Sequence, residues 1–180
     1  VCRSKDGQTE CGDTNCGFDC GKNKYALCIV DGMGTGKPAA EQSKRISATV
    51  RTMISRGVPK TDIMDMVNTA LYNGKEDSVL SFDMSIVDLD SAQCEMLKAD
   101  ASPTFICRGG NVYCVGRRSL PLGADETPDS FSSTCTLFDG DILVMVSDGF
   151  FGDSEDFCMN ILRKCVSEKN DPLGFAAALI

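Results

Sequence analysis

The chain has 180 residues, 18 Lys and Arg against 26 Asp and Glu for a net charge of −8, and neither histidine nor tryptophan. That length is one ordinary domain, and the acidic balance argues against nucleic acid, whose phosphates are met by Lys and Arg. Without histidine there is no His-based triad, dyad or metal site, so any catalysis falls to carboxylates, thiols, hydroxyls, amines or an oxygen-held metal.

The first element expected is a buried strand, the apolar run Tyr25 to Val30, although the chain before it reads as entering an earlier strand already at Val1. The strand feeds DGMGTGKP and then a helix over 39–55, with Pro38 in the first turn, where its missing N–H is not needed, and Gly57 past the end. A second helix is expected over 61–72, with Thr61 as N-cap and Gly74 as terminator. The pattern then turns to strands. Runs 82–89 and 94–99 flank Asp90-Ser91-Ala92, and runs 104–108 and 111–115 flank Gly109-Gly110, a two-residue hairpin signal. Runs 133–138 and 142–147 flank Asp139-Gly140, read as another hairpin. Helical patterns at 155–168 and from Pro172 close the chain. One strand, two helices, successive hairpins and more helices make an α+β layout, antiparallel sheet covered by helices, and not an alternating βαβ fold.

At 42% hydrophobic residues the chain can bury a core. Its longest apolar stretches, such as Leu27 to Val30 and Ile142 to Val146, fall far short of the ~20 residues of a spanning helix. The opening Val1 to Asp6 has no apolar leader region. The 11 cysteines are odd in number and too sparse for a short disulfide scaffold. The group Cys2, Cys11, Cys16, Cys20 and Cys28 holds no C-x-x-C pair, which disfavours zinc or iron–sulfur. Reduced thiols are therefore expected, with Cys28, Cys107 and Cys114 buried in apolar strands as small hydrophobes.

Two apolar runs each deliver an Asp-Gly at their end, LCIVDGMG at 27–34 and LVMVSDGF at 143–150. A strand carries its last residue to the edge of the core, where a carboxylate meets a cation, and the following glycine leaves its carbonyl accessible. Mg²⁺ and Mn²⁺ take such oxygens. Asp139-Gly140, between two strands, fits a plain turn instead. The GMGTGK stretch fails as a phosphate loop: the first glycine position is Asp31, and Pro38 stands where a hydroxyl must hold Mg²⁺.

The block GDTNCGFDCGKNKYALCIVDGMGTGKPA at 12–39 resembles the opening of the stage II sporulation protein E phosphatase family, a branch of the metal-dependent PPM-type serine/threonine phosphatases. The likeness continues through 81–110, SLPLG at 119–123 and GDILVMVSDGF at 140–150. It implies a single PPM-type domain over 1–180, an antiparallel β-sandwich flanked by helix pairs (αββα). It implies a site for two Mn²⁺ or Mg²⁺ ions in which Asp31 bridges the metals, Gly32 gives a carbonyl, Asp148 is a further ligand and Asp13 supports the site directly or through water. The implied reaction is hydrolysis of protein phosphoserine by a metal-activated water, with a phosphorylated anti-sigma-factor antagonist as partner in sporulation signalling. The implied setting is a cytoplasmic domain, anchored to the membrane only through segments outside this sequence. The family's D-D-x-[ST] strand, with its last aspartate ligand, has no match before Ile180, and the sequence is expected to be cut at both ends of the domain. The alternative is a binding module of the same fold with a degraded metal site.

Overall fold

A computed structural model describes residues 10–34, 36–74, 79–150 and 159–164. Two antiparallel sheets carry the chain. The larger has five strands in the order β1 (Asp13–Gly21), β2 (Lys24–Gly32), β3 (Leu80–Asp88), β4 (Gln93–Ala99) and β7 (Phe131–Thr136). The smaller has β6 (Asn111–Val115), β5 (Thr104–Arg108) and β8 (Ile142–Val144).

Strand β2 is half-buried by alternation. Ala26, Cys28 and Val30 are buried and look toward α1 (Lys37–Ser55) and α2 (Lys60–Tyr72), while Tyr25 is exposed. The helices repay this face with Ile46, Val50 and Ile54 from α1 and Ile63, Met64, Val67 and Leu71 from α2, positions spaced for one helical stripe. Phe82, Met84, Leu97 and Ala99 complete this main core. Gly57, at φ 76, ends α1 by donating its N–H to the Ile54 carbonyl, a left-handed turn that suits glycine. Asn68 of α2 is fully buried and satisfied. Its amide nitrogen donates to the Asp125 and Glu126 carbonyls at 3.0 and 3.1 Å, and its oxygen accepts from the Gly123 N–H at 2.8 Å. The SLPLG segment is thereby fastened to the helix layer.

The opposite face of the larger sheet meets the smaller one. Cys94 and Met96 of β4 pack with Ile106 of β5, and Val87, Cys135, Leu137 and Leu143 line the same seam. On the far side of the smaller sheet, Phe105, Cys107 and Val144 pack against Leu162, Met159 and Ile161 of the helical segment 159–164. The αββα sandwich is thus as expected; the helical pattern from Pro172 lies outside the described residues.

Several expectations are corrected. The strand pairing with β2 is β1, beginning at Asp13, which no apolar run announces, since Phe18 is its one buried residue; the strand expected at Val1 lies outside the described residues. Thr61 does not cap α2; Pro59 precedes the helix and Thr61 lies in its first turn. Asp139-Gly140 is not a hairpin turn. The strand before it, β7, belongs to the larger sheet and the strand after it, β8, to the smaller, so this turn carries the chain across the sandwich. Gly140, at φ 83, makes the reversal. Cys28 and Cys107 are buried, but Cys114 is exposed, on β6 at the edge of the smaller sheet. Cys11 is disulfide-bonded, while Cys16, Cys20, Cys28, Cys94 and Cys135 are free thiols. No helix among the described residues is long and apolar enough to cross a membrane.

Candidate metal centre

Asp13 opens β1 and Asp31 stands one residue from the end of β2, and the ladder pairs them directly, Asp13 with Asp31. Direct antiparallel partners share a face, with Cβ atoms roughly 4.5–5.5 Å apart. By alternation from the buried Ala26, Cys28 and Val30, this face is the one turned to the smaller sheet. Two like charges opposite one another repel, and a cation between them reverses the sign of that interaction.

Gly32 follows in close quarters. A Cβ added there would lie 2.5 Å from the Ala39 carbonyl oxygen in the first turn of α1. Only a bare backbone fits, so β2 and α1 approach each other here to main-chain contact. A Cβ at Gly12 would lie 3.7 Å from the Gly32 carbonyl oxygen, which puts that oxygen beside the residue preceding Asp13. Two carboxylates and a carbonyl oxygen therefore gather at one end of the β1–β2 ladder. Hard oxygen donors of this type suit Mg²⁺ or Mn²⁺, and the residues fit the implied ion. An open groove of about 430 Å³, lined by Glu10, Cys11, Asp13, Thr14, Asn15 and Lys44, runs alongside.

Asp148 lies on a turn and not at the end of a strand. Strand β8 stops at Val144, and the apolar run continues outside the ladder to a 3₁₀ turn, Asp148–Phe150. Phe150 anchors that turn in the core of the smaller sheet, and its N–H donates to the Ser147 carbonyl, leaving Asp148 exposed. Among the described residues no three carboxylates or thiols close into an ion-sized cluster. Asp13, Asp31 and Gly32 thus stand at one end of the β1–β2 ladder, and Asp148 stands on the turn that follows β8.

The same inter-sheet face holds a charged group that sequence reading missed. Asp83 of β3 and Lys98 of β4 are register partners and form an ion pair, with side chains 2% and 1% exposed. Lys98 Nζ donates to Thr104 Oγ1 at 2.8 Å, and Thr104 Oγ1 donates to Asp83 Oδ2 at 3.3 Å, so the pair is tied to the smaller sheet. Burial pushes the Asp83 carboxyl up and the Lys98 ammonium down, while each partner pulls the other back. Near the start of β3, Ser81 is the register partner of Asp31 and donates to Asp100 Oδ2 at 3.3 Å. The signal was present in SFDMSIV, where polar residues alternate with apolar ones at 81, 83 and 85; period-2 polarity reads as a solvent face, yet here that face is interior.

The comparisons with known proteins agree with this architecture. The family model described as stage II sporulation protein E matches residues 21–172. Stage II sporulation protein E of Bacillus subtilis (strain 168) is 34% identical over 183 residues, covering 98% of this chain and 22% of the relative. The protein of the same name from Priestia megaterium is 30% identical, covering 94% of this chain and 30% of the relative. This chain therefore spans between about a fifth and a third of those curated relatives. Among solved structures, the PP2C phosphatase domain with a fragment of the regulatory domain of the cell fate determinant SpoIIE from Bacillus subtilis superposes with a TM-score of 0.87 at 29% identity, covering 99% of this chain and 55% of that one. With its DGMGTG loop at the end of β2, its GDILVMVSDGF block entering β8 and an αββα sandwich between them, the chain belongs to the stage II sporulation protein E family of PP2C-type phosphatases.

Proposed function

We propose that this chain carries the catalytic core of a Mn²⁺- or Mg²⁺-dependent protein serine phosphatase that releases phosphate from a phosphorylated anti-sigma-factor antagonist in sporulation signalling. The observation that carries the reading is the direct pairing of Asp13 with Asp31 beside the Gly32 carbonyl. Asp31, between its strand partners Asp13 and Ser81, presents its carboxylate to the ions, with Asp13 adding charge from the neighbouring strand. Gly32 contributes its carbonyl and keeps the backbone close to α1. Asp148, on the turn after β8, is assigned as the carboxylate reaching across from the other sheet. When bound, the ions supply an acidified water and neutralise charge on the phosphoryl oxygens. None of these roles needs histidine, in keeping with a chain that has none. The setting proposed is the cytoplasmic face of a membrane-anchored protein, the anchor belonging to the larger natural protein.

The test is phosphate release from the phosphorylated antagonist by the natural full-length protein, titrated with Mn²⁺. Asp31→Asn is expected to lower the rate at least ~100-fold, since even groups one shell removed from a metal cost 10–100-fold. A wild-type protein that binds the antagonist at every Mn²⁺ level and releases no phosphate would instead establish the binding-module alternative.

A further inference from the structure

Cys16 of β1 and Cys28 of β2 are direct register partners on the face turned to α1. Antiparallel partners stand ~4.5–5.5 Å apart at Cα, within the ~4.4–6.8 Å that a disulfide spans. Cys16 Sγ is also 3.2 Å from Ser47 Oγ on α1. Cys16 is partly exposed and Cys28 is 2% exposed.

We propose that Cys16 and Cys28 form a peroxide-reactive dithiol, a modification site in which Cys16 is the attacked thiol and Cys28 the resolving one. The Cys16 sulfur attacks one peroxide oxygen, the O–O bond breaks, and the departing hydroxide is protonated to water. Cys16 is then a sulfenic acid. Cys28 sulfur displaces its hydroxyl, which leaves as a second water with the Cys28 proton. Two thiols lose two electrons to one peroxide. The product joins the two strands that carry Asp13 and Asp31, and it removes the Cys16 thiol that meets Ser47.

Electrostatics support the order of events. The hydrogen bond from Cys28 brings the Cys16 thiol down to about 6; burial opposes it, and Ser47 and Arg51 help it. The same bond, with burial, drives Cys28 upward. Cys16 is therefore mostly thiolate at neutral pH, and the thiolate is the nucleophile.

The fold supplies its own control. Cys94 and Cys135 are likewise register partners, on β4 and β7, but burial pushes Cys94 up to about 12 and also raises Cys135. Thiolate fraction and intrinsic nucleophilicity work against each other, but fraction changes faster with pKa, so Cys16 is the more reactive of the two at pH 7.

The experiment treats the reduced protein with stoichiometric hydrogen peroxide at pH 7 and follows each cysteine by mass spectrometry. Trypsin cleaves after Lys22 and Lys24, separating the two strands, so the bond appears as one linked peptide pair, with fragment ions distinguishing Cys16 from Cys11 and Cys20, which share its peptide. Expected are a Cys16–Cys28 link formed at least about 10-fold faster than any Cys94–Cys135 link, and its loss in Cys16→Ser. Cys28→Ser should accumulate a Cys16 sulfenic acid that a carbon nucleophile traps, a readout independent of how Cys16→Ser folds. Oxidation of Cys16 no faster than Cys94, or a Cys16 that proceeds to sulfinic acid in the wild type with no link to Cys28, overturns the proposal.

Discussion

A single methyl group at Gly32 is the sharpest test of how the site end of β2 is built. The added carbon would lie 2.5 Å from the Ala39 carbonyl oxygen and 3.1 Å from its carbonyl carbon, both backbone. No side chain can rotate away, so strand or helix must shift. Gly32→Ala is expected to destabilise the fold by about 1–3 kcal/mol, the usual penalty for overpacking, read as a lower urea midpoint with an unchanged slope. Gly34, where an added carbon meets nothing within 4 Å, is the contrast in crowding, although its φ of 99 makes any side chain strained there for a separate, backbone reason. Glycines in DGMGTG were legible as turn formers; which of them is a steric requirement was not, because that depends on where α1 crosses. Lys98 gives a second prediction at this scale. Its ammonium is the charge facing the buried Asp83 carboxylate, so Lys98→Met leaves that carboxylate uncompensated. Breaking a buried pair by removing one partner costs about 3–5 kcal/mol. Adding Asp83→Asn should recover most of the loss, because the double variant buries no charge, and denaturant unfolding of the four proteins of this cycle measures it.

Among the elements, β8 and the turn before it show where local pattern fails. Apolar residues from Ile142 to Val146 promise a long strand and Asp139-Gly140 promises a hairpin, yet the ladder keeps 142–144 and the turn crosses between sheets. The crossing is fixed by side chains distant in sequence. Arg108 of β5 grips Asp141 through Nε, at 2.9 Å to Oδ1 and 3.0 Å to Oδ2, while its Nη2 donates to the Thr136 carbonyl at 2.9 Å. The Phe138 N–H donates to Asp141 Oδ2 at 2.8 Å, and the guanidinium lies 4.3 Å from the centre of the Phe138 ring. The Arg108 hydrogen bonds hold the Asp141 carboxyl below the usual carboxylate range. A carboxyl lowered on folding gives stability that is full above its unfolded pKa of ~3.9 and lost as pH falls through the folded value. Asp141→Asn should therefore lower the urea midpoint at pH 7, with the gap to wild type closing as pH drops below about 4. A gap that persists unchanged to pH 2 would show that the carboxylate charge is not what holds the turn. By contrast, α1, α2 and the Gly109-Gly110 hairpin were legible within a residue or two, since helical stripes and φ 54 and 81 at successive glycines are properties of the segments themselves.

Across the whole molecule the legible part is the architecture and the chemistry of the two Asp-Gly ends, and the illegible part is the pairing that sets Asp13 opposite Asp31. Asp13 and Asp31 lie opposite one another because β1 pairs with β2, a contact that a strand with a single fully buried residue gives little reason to expect. Asp148 is on the other sheet's turn. If ions engage carboxylates from both sheets, binding is not only local: it links the β1–β2 ladder to the β5–β8 ladder, and it offsets part of the repulsion in a chain of net charge −8. Ligand binding to the folded state alone adds about 2.7 kcal/mol at 100 times the dissociation constant. For a chain of this size each kcal/mol moves the midpoint by about 2–4 °C, so saturating Mn²⁺ should raise Tm by roughly 5–10 °C. The relief of general repulsion is separable, because NaCl at matched ionic strength supplies screening without coordination. Asp148→Asn distinguishes a cross-sheet link from a site confined to Asp13, Asp31 and Gly32. As the removed charge is exposed, the metal-free Tm should stay near that of wild type, and the Mn²⁺-induced rise should shrink by half or more if Asp148 is a ligand. An undiminished rise in Asp148→Asn, together with its loss in Asp31→Asn, would confine the ions to the β1–β2 end.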